Sequence, residues 1–270
     1  MSCGENTLWI VGPCSVESRG YFLKAAEFLY KTFEGRDFFL KGSFDKANRT
    51  SVYGKRGPGL EESIDIFRET KEAMPGVKII TDVHETHQVE KLAGVVDAIQ
   101  IPAFLCRQTD LLQECGKNFK DVNVKKGQWI DPHQTAFFAE KIKSKNPDTR
   151  VWITERGTFF GYGNLIVDFN AAGIMREYCD HLIIDCTHST QHKEGQFTSG
   201  SRSLAEKYLM ASIPFSYTGI FIETHFEPSK ATSDGDCMVL TQRIPKLLKV
   251  YDKMSQIYKN ENGEGADDEK

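Results

Sequence analysis

Side chains that could carry acid–base, metal-binding or anion-binding chemistry stand at or just after the ends of short apolar runs in this sequence. They are Cys14, Lys41, Lys46, Arg49, Asp82, Gln100, Lys125, Arg156, His188 and Glu223. If the apolar runs are parallel strands of a barrel, their carboxyl ends meet at one mouth, where the active sites of such barrels lie. The sequence therefore predicts a single site to which many strand ends contribute.

Positive charge is concentrated at these strand ends, although the whole chain has a formal net charge of -4. Arginine binds carboxylates and phosphates through a fork of donors, whereas lysine supplies a compact charge that can also transfer a proton. Any single lysine could be an ordinary solvated residue. Six cations together indicate a ligand with several negative groups, and they are Lys41, Lys46, Arg49, Lys125, Lys126 and Arg156.

A second constellation combines sulfur, imidazole and two carboxylates: Cys14, His188, Glu223 and Asp234. These ligand types suit Zn²⁺, Fe²⁺ or Mn²⁺ and suit Mg²⁺ less well. Their wide spacing is not diagnostic, and a buried cysteine is more often a small apolar filler than a ligand. A competing pair, His84 and His87, has i, i+3 spacing. We interpret that pair mainly as the start of a helix, with a role near a substrate left open.

The elements that must position these residues alternate along the chain. Eight β-rich apolar runs occupy 7–11, 38–41, 78–83, 98–102, 121–125, 151–154, 181–185 and 219–224. Between them lie helical patterns such as Leu60, Ile64 and Phe67. This alternation predicts an α/β fold, a single (β/α)8 TIM barrel. An open doubly wound sheet is the alternative, but neither GxGxxG nor GxxxxGK[ST] opens any helix.

Composition limits the classes of protein to consider. The 270 residues, 40% of them hydrophobic, fit one barrel over 1–259, and the acidic segment 260–270 is expected to be a disordered tail. Seven scattered cysteines without a CxxC pair argue against a disulfide framework. The chain lacks a basic field for nucleic acid and an apolar run of about 20 residues for a membrane span. We therefore expect a soluble cytoplasmic protein.

Nine motifs spread from about Trp9 to Tyr258 closely resemble, in order, those of the 3-deoxy-D-manno-octulosonate 8-phosphate synthase family. They are GPCSVES (12–18), KGSFDKANRTS (41–51), RGPGLEES (56–63), TDVHE (81–85), IQIPAFLCRQTDLL (99–112), VNVKKGQ (122–128), TERGTFFGYGNLIVDF (154–169), DCTHS (185–189) and ETHFEPSKATSD (223–234). The resemblance implies a (β/α)8 barrel that forms a homotetramer. It also implies condensation of phosphoenolpyruvate with D-arabinose 5-phosphate, releasing phosphate, in the synthesis of Kdo for lipopolysaccharide or pectin.

The resemblance also assigns roles to residues. Cys14 stands where metal-independent members have asparagine, which implies the metal-dependent class, with Cys14, His188, Glu223 and Asp234 as ligands of a divalent metal ion. Phosphoenolpyruvate is then held by Lys41, Ser43, Lys46, Lys125, Gln128, Arg156 and His188. The sugar phosphate is held by Asn48, Arg49 and Thr50, with Asp82 near the sugar and Gln100 among the substrate-binding residues. Lys125 becomes the acid near the reacting carbons, and Cys14, His188 and Asp234 are counted with it as catalytic.

The sequence leaves two rival functions open. The 3-deoxy-D-arabino-heptulosonate 7-phosphate synthases share the barrel and the ligand types but use erythrose 4-phosphate. They typically carry Lys-Pro-Arg-Thr where this chain has Lys46-Ala47-Asn48-Arg49, and the segment PAFLCRQTD, a plausible subunit contact, also favours the octulosonate enzymes. A barrel that binds phosphosugars without catalysis is the other rival, and the intact set of charged residues speaks against it.

The chain departs from the family pattern at two places. The loop 189–203 lacks the usual Val-Gln-Leu-Pro segment, and His133 replaces a tryptophan after the fifth strand. These changes leave loop closure and metal preference open. His192 in that loop is an additional potential ligand, although a solvated histidine is the expected state.

Overall fold

Eight parallel strands form the centre of the protein in the computed structural model, which describes residues 7–48, 53–194 and 197–262. The strands are β1 (Leu8–Gly12), β2 (Phe38–Lys41), β3 (Lys78–Asp82), β4 (Ala98–Ile101), β5 (Asp121–Lys125), β6 (Arg150–Glu155), β7 (His181–Asp185) and β8 (Gly219–His225). The helices that follow them are α1 (Arg19–Thr32), α2 (Leu60–Ala73), α3 (Thr86–Leu92), α4 (Thr109–Asn118), α5 (Ala136–Lys143), α6 (Ala171–Arg176), α7 (Arg202–Ala211) and α8 (Ile244–Asn262).

The sheet closes on itself. Each of these strands pairs in parallel with the next, and β8 pairs with β1 in a register that runs from Leu8 opposite Gly219 to Gly12 opposite Glu223. The predicted (β/α)8 barrel is thus confirmed, and the open doubly wound sheet is wrong. All eight predicted strands are present with ends shifted by at most one residue.

The last helix is longer than the sequence pattern indicated. α8 continues to Asn262, so the first three residues of the segment predicted to be a disordered tail are helical. The remainder, 263–270, lies outside the described residues. No helix in the described ranges has both the length and the apolar character needed to cross a membrane.

Alternation of side chains along the strands creates two cores. In β5, Val122 and Val124 face outward and join the large cluster between sheet and helices. Inside the barrel a smaller apolar cluster fills the lower part: Leu8, Ile10, Phe39, Ile80, Ala98, Trp152, Ile183 and Phe221. Because successive strand residues point to opposite faces, the next inward positions toward the carboxyl ends lie above this apolar cluster, and they are polar.

A small antiparallel sheet accompanies the barrel. Its four strands are Thr158–Gly161, Asn164–Ile166, His192–Glu194 and Phe197–Ser199, and they come from the loops that follow β6 and β7. His192 pairs with Asn164 and with Ser199. The divergent loop 189–203 is therefore partly sheet, and it is joined to the neighbouring loop at the carboxyl-terminal side of the barrel.

Candidate active site

A cavity of about 830 Å³ opens at the carboxyl ends of the strands. Its size is within the range of roughly 300–1,000 Å³ that is usual for small-molecule sites. Most of the residues predicted to form the site line it: Lys41, Lys46, Asn48, Asp82, Gln100, Lys125, Gln128, Arg156, His188, Glu223 and Asp234. The structure thus brings together side chains from loops and strands throughout the chain.

Two of the predicted site residues that the structure describes are not part of this lining. Cys14 and Ser43 lie behind it, fully buried but in contact with lining side chains. Arg49 and Thr50 lie outside the described residues. The predicted roles of all these residues in binding and catalysis stay predictions.

Cys14, His188, Glu223 and Asp234 converge. One potential ligand atom from each lies within 4.8 Å of the other three. The Cys14 thiol donates to Asp234 Oδ2 at 3.4 Å, and His188 Nε2 is 3.5 Å from Glu223 Oε2. Ser233, which the sequence reasoning did not identify, donates its hydroxyl to Cys14 Sγ at 2.9 Å.

The state of Glu223 tests whether this cluster fits a metal ion. Glu223 is 1% exposed, and neither of its carboxylate oxygens has a hydrogen-bond partner in the described structure. A buried carboxylate without hydrogen bonds is costly, and a coordinated cation removes that cost. Burial, followed by the charge of Glu223, raises the pKa of the Cys14 thiol, an effect that a bound cation opposes. The donor set therefore fits a divalent metal, and His192 is not part of it.

Asp185, which the sequence reasoning missed, connects two halves of the site. Its Oδ2 accepts from His188 Nδ1 at 2.7 Å and from Lys125 Nζ at 2.6 Å. Its Oδ1 accepts the backbone N–H groups of Thr187 and His188 at 2.9 and 2.8 Å. A carboxylate on Nδ1 keeps the proton on that nitrogen, so the His188 Nε2 lone pair faces the four-ligand cluster. The strand-end rule that selected His188 could also have selected Asp185, the last residue of β7.

Lys125 is held in an apolar setting just above the inner core. Its ammonium nitrogen lies 3.1 Å from the centroid of the Phe221 ring. Burial lowers the pKa of Lys125 to about 8, and the Asp185 carboxylate limits that fall. A lysine with this pKa is protonated at neutral pH yet can give up its proton readily, as a general acid must.

Lys41, Lys46 and Ser43 surround Asp82 at the end of β3. Lys41 Nζ lies 2.6 Å from Ser43 Oγ and 3.3 Å from Asp82 Oδ2, and Lys46 Nζ lies 3.8 Å from the same carboxylate oxygen. Burial alone would raise the pKa of Asp82, but the two ammonium groups outweigh it and hold that pKa far below its usual range. Asp82 is therefore a permanent anion that orients the two lysines.

Gln100 supports Asp82 from the neighbouring strand. It donates its amide to Asp82 Oδ1, and it accepts from Asn123 Nδ2 at 2.9 Å. Thr154 in turn donates to Asn123 Oδ1 at 2.7 Å. This chain of hydrogen bonds crosses β3, β4, β5 and β6 and fixes the polar layer above the apolar interior.

One terminal nitrogen of the Arg156 guanidinium forms a hydrogen bond, and the other does not. Its Nη2 donates to Gln191 Oε1 at 2.6 Å, whereas its buried Nη1 has no hydrogen-bond partner in the described structure. Gln191, a third residue missed by sequence reasoning, also donates to Asp234 Oδ1 at 2.9 Å. Arg156 thus lines the cavity with one buried donor nitrogen unpaired, and Gln191 connects it to the four-ligand cluster, an arrangement that suits an anionic ligand.

The assignment of Lys126 to the cationic cluster is wrong. Consecutive residues at a strand end point to opposite faces, so Lys126 turns away from the cavity when Lys125 turns toward it. Lys126 is 1% exposed and lies 3.3 Å from the Glu155 carboxylate, with a hydrogen bond of 3.2 Å to Thr158 Oγ1. This buried ion pair joins the ends of β5 and β6 outside the cavity.

His84, His87 and His133 differ in their positions relative to the cavity. His84 lines the cavity and stands before α3, whereas His87 lies in the first turn of that helix and is exposed. The pair therefore does not act as one unit. His133 is exposed near the start of α5, where its backbone N–H is capped by Asp131 at 2.8 Å. It takes no part in the cavity.

Comparison with known proteins gives consistent results. The chain is 46% identical to a 2-dehydro-3-deoxyphosphooctonate aldolase of Chelativorans sp. over 89% of this chain and 88% of the relative. It is 41% identical to a protein of the same name from Helicobacter hepaticus, over 93% and 98% of the two chains. A third, from Citrifermentans bemidjiense, is 44% identical over 91% of each chain. The sequence model of the DAHP synthetase I family matches residues 2–260, and the chain belongs to that family.

Proposed function

We propose that this chain is an enzyme that condenses phosphoenolpyruvate with D-arabinose 5-phosphate and water to give 3-deoxy-D-manno-octulosonate 8-phosphate and phosphate. One structural observation carries the proposal. A buried Arg156 with an unengaged donor, together with Lys41, Lys46 and Lys125, faces a four-ligand cluster in a cavity large enough for small phosphorylated substrates. Such a cavity suits two polyanionic reactants and a reaction that develops negative charge.

The choice of arabinose 5-phosphate over erythrose 4-phosphate is supported by the relatives. The name they carry, 2-dehydro-3-deoxyphosphooctonate aldolase, denotes the octulosonate phosphate synthase, and their alignments with this chain span about nine-tenths of both proteins. The family model also takes its name from the heptulosonate synthases. The relatives and the Asn48 motif therefore favour the octulosonate product over the heptulosonate product.

Binding of phosphoenolpyruvate is the task of the cationic residues. Arg156 and Lys46 supply the donors for its carboxylate and phosphate, because Arg156 is buried and the Lys46 side chain is only 13% exposed, so their charges gain most from an anion in a site shielded from water. Asn48, which the family pattern assigns to the sugar phosphate, lines the cavity together with Lys46.

Carbon–carbon bond formation follows from the enol character of phosphoenolpyruvate. Its C3 attacks the aldehyde carbon, and Lys125 Nζ donates a proton to the resulting alkoxide. Water adds at C2 and its proton returns to Lys125 Nζ, and the resulting hemiketal phosphate releases phosphate by cleavage of the C2–O bond, with the hydroxyl proton leaving to the phosphate as the C2 ketone forms. Asp185 keeps Lys125 in place through these steps, because its carboxylate contacts Lys125 Nζ at 2.6 Å.

We also propose that Cys14, His188, Glu223 and Asp234 hold a divalent metal ion such as Zn²⁺, Fe²⁺ or Mn²⁺. When bound, such an ion supplies a Lewis acid that polarises a carbonyl or orients water. The chain's own contribution is the ligand geometry, with His188 oriented by Asp185 and Cys14 contacted by Ser233. The unsatisfied oxygens of Glu223 support this proposal.

A homotetramer in the cytoplasm is our proposal for the assembled protein. Aromatic side chains cluster on the surface beside the cavity, where Phe104 is 55% exposed and its ring lies 6.0 Å from that of Trp129, which is 48% exposed. Exposed aromatic groups of this kind are typical of protein interfaces. Phe104 belongs to the PAFLCRQTD segment, which supports a subunit contact there. The described cysteines are all free thiols, which supports a reducing compartment.

Phosphate release tests the proposed reaction. Purified protein with added Mn²⁺ or Zn²⁺ is incubated with phosphoenolpyruvate and arabinose 5-phosphate, and a parallel reaction contains erythrose 4-phosphate. We expect rapid phosphate release with the five-carbon sugar and little with the four-carbon sugar. The reverse preference would make the chain a heptulosonate synthase. Binding of both substrates without phosphate release would make it a non-catalytic barrel.

A further inference from the structure

Two residues with strained backbone conformations are associated with the four-ligand cluster, one within it and one close to it in sequence. Among the described residues, four that are not glycine have positive φ, and two of them, Glu17 and Asp234, each have a φ of 55°. Asp234 belongs to the cluster, and Glu17 follows Cys14 by three residues. An L-residue in this region is disfavoured and is retained only where surrounding interactions hold it.

Glu17 is held by contacts with the loop that follows β8. Its Oε1 accepts the backbone N–H of Thr232 at 3.0 Å and the Thr232 hydroxyl at 3.3 Å. Its Oε2 lies 3.5 Å from His225 Nε2. One carboxylate from the loop after β1 therefore contacts both the last residue of β8 and the loop that follows it.

His225 is itself fixed in orientation. Its Nδ1 accepts the backbone N–H of Glu227 at 2.9 Å, so its proton lies on Nε2, the nitrogen facing Glu17. Its ring stacks on that of Tyr21 with centroids 4.6 Å apart, and the Tyr21 hydroxyl accepts the N–H of Phe226 at 3.3 Å. His225 is only 4% exposed. The His225 Nε2 donor that faces Glu17 is therefore held in a fixed orientation.

The segments held in this way carry the ligand atoms. Thr232 is followed by Ser233 and Asp234. Ser233 donates its hydroxyl to Cys14 Sγ, and Asp234 accepts from the Cys14 thiol. His225 lies two residues beyond Glu223. A single side chain thereby sets the relative positions of segments bearing three of the four potential ligands, without belonging to the cluster or lining the cavity.

We propose that Glu17 is a positioning residue whose carboxylate aligns the loops after β1 and β8 and so sets the affinity of the four-ligand cluster for a divalent metal. This inference rests on the proposed metal site. Groups that orient ligands from outside the coordination sphere typically contribute about 10- to 100-fold to metal affinity. We expect a loss of that size when Glu17 is truncated.

The test compares Glu17→Ala and Glu17→Gln with the parent protein. The Zn²⁺ dissociation constant is measured by competition with a chromophoric chelator, and hydrogen exchange of peptides covering 226–238 is followed in metal-free protein. Glu17→Ala should weaken Zn²⁺ binding about 10- to 100-fold and speed exchange at Thr232. Glu17→Gln keeps a carbonyl acceptor for Thr232, so it should restore part of both. Ser216→Gly is the matched control, because Ser216 has a φ of 54° in a segment that contributes no cluster ligand.

The outcomes separate this inference from the metal proposal. If the parent protein binds Zn²⁺ and Glu17→Ala binds it with the same affinity, the role of Glu17 is refuted while the metal site stands. If the parent binds no Zn²⁺, the metal site and this inference both fail, whatever the reaction assay gives. Faster exchange in Glu17→Ala with weakened Zn²⁺ binding, and neither effect in Ser216→Gly, supports the inference.

Discussion

Replacement of Asp185 by asparagine probes the connection between Lys125 and His188. The substitution keeps the shape of the side chain and removes the charge that lies 2.6 Å from Lys125 Nζ and 2.7 Å from His188 Nδ1. Asp185 is completely buried, so solvent cannot replace its charge. Removing one partner of a buried ion pair typically costs about 3–5 kcal/mol, because the other charge is left uncompensated.

The protein can reduce this cost by releasing the Lys125 proton. In the parent protein, burial lowers the pKa of Lys125 to about 8, and Asp185 is the largest influence in the opposite direction. Without Asp185 the pKa must fall further, since burial remains. If protonated Lys125 is the active form, kcat/KM is highest below this pKa and falls as pH rises through it. The alkaline limb of the profile should therefore move from near pH 8 to lower pH.

The assay is the dependence on pH of kcat/KM for phosphoenolpyruvate, which reports groups of the free enzyme. At neutral pH we expect Asp185→Asn to lose about 100-fold or more, because a loss of about 3 kcal/mol corresponds to roughly that factor. Activity should partly recover as the pH is lowered. Asp121→Asn is the control, since Asp121 is buried at the amino-terminal end of β5 and pairs with Arg150 at 2.6 Å. An alkaline limb that stays in place in Asp185→Asn would refute the reasoning.

Three further substitutions test separate parts of the structure. Arg156→Lys should raise the KM for phosphoenolpyruvate about 10- to 150-fold, because it removes a charged hydrogen bond worth about 1.5–3 kcal/mol. An unchanged KM would contradict the anion-binding role of Arg156. Lys126→Met should lower the free energy of unfolding, measured by chemical denaturation, by about 3–5 kcal/mol, because Glu155 loses its ion-pair partner. The double variant with Glu155→Gln should recover part of that loss. Gly12→Ala should destabilise the barrel by about 1–3 kcal/mol, because its Cβ would lie 2.0 Å from Lys41 O. The Cβ added by Gly20→Ala in α1 would have no atom within 4 Å, so this substitution should not destabilise the protein.

The barrel could be predicted from the sequence because its strands are buried on both faces and read as short apolar runs. The candidate site followed from the rule that parallel strands end at one mouth, and that rule placed Lys41, Lys125 and Glu223 correctly in one cavity. The small sheet formed by the loops after β6 and β7 was not foreseen. Its strands are three or four residues long and show no periodicity. Pairing between two loops depends on tertiary contacts that local sequence does not encode.

The direction of individual side chains was the second feature that could not be predicted from the sequence. Lys125 and Lys126 are identical in sequence terms, and only the strand register shows that one faces the cavity and the other faces Glu155. Asp185 was overlooked because His188 three residues later offered a more distinctive ligand type. Gln191 was overlooked because an amide has no strong chemical signature until its neighbours, Arg156 and Asp234, are known.

Metal dependence of phosphate release is the most direct test of the central claim that the four-ligand cluster and the cationic residues act together. Parent protein and Cys14→Ser are stripped with a chelator, and phosphate release from phosphoenolpyruvate and arabinose 5-phosphate is measured before and after adding one equivalent of Mn²⁺ or Zn²⁺. We predict that stripping abolishes turnover, that the added metal restores it in the parent, and that Cys14→Ser neither retains the metal nor recovers. Full turnover by the parent with no detectable bound metal would contradict the account.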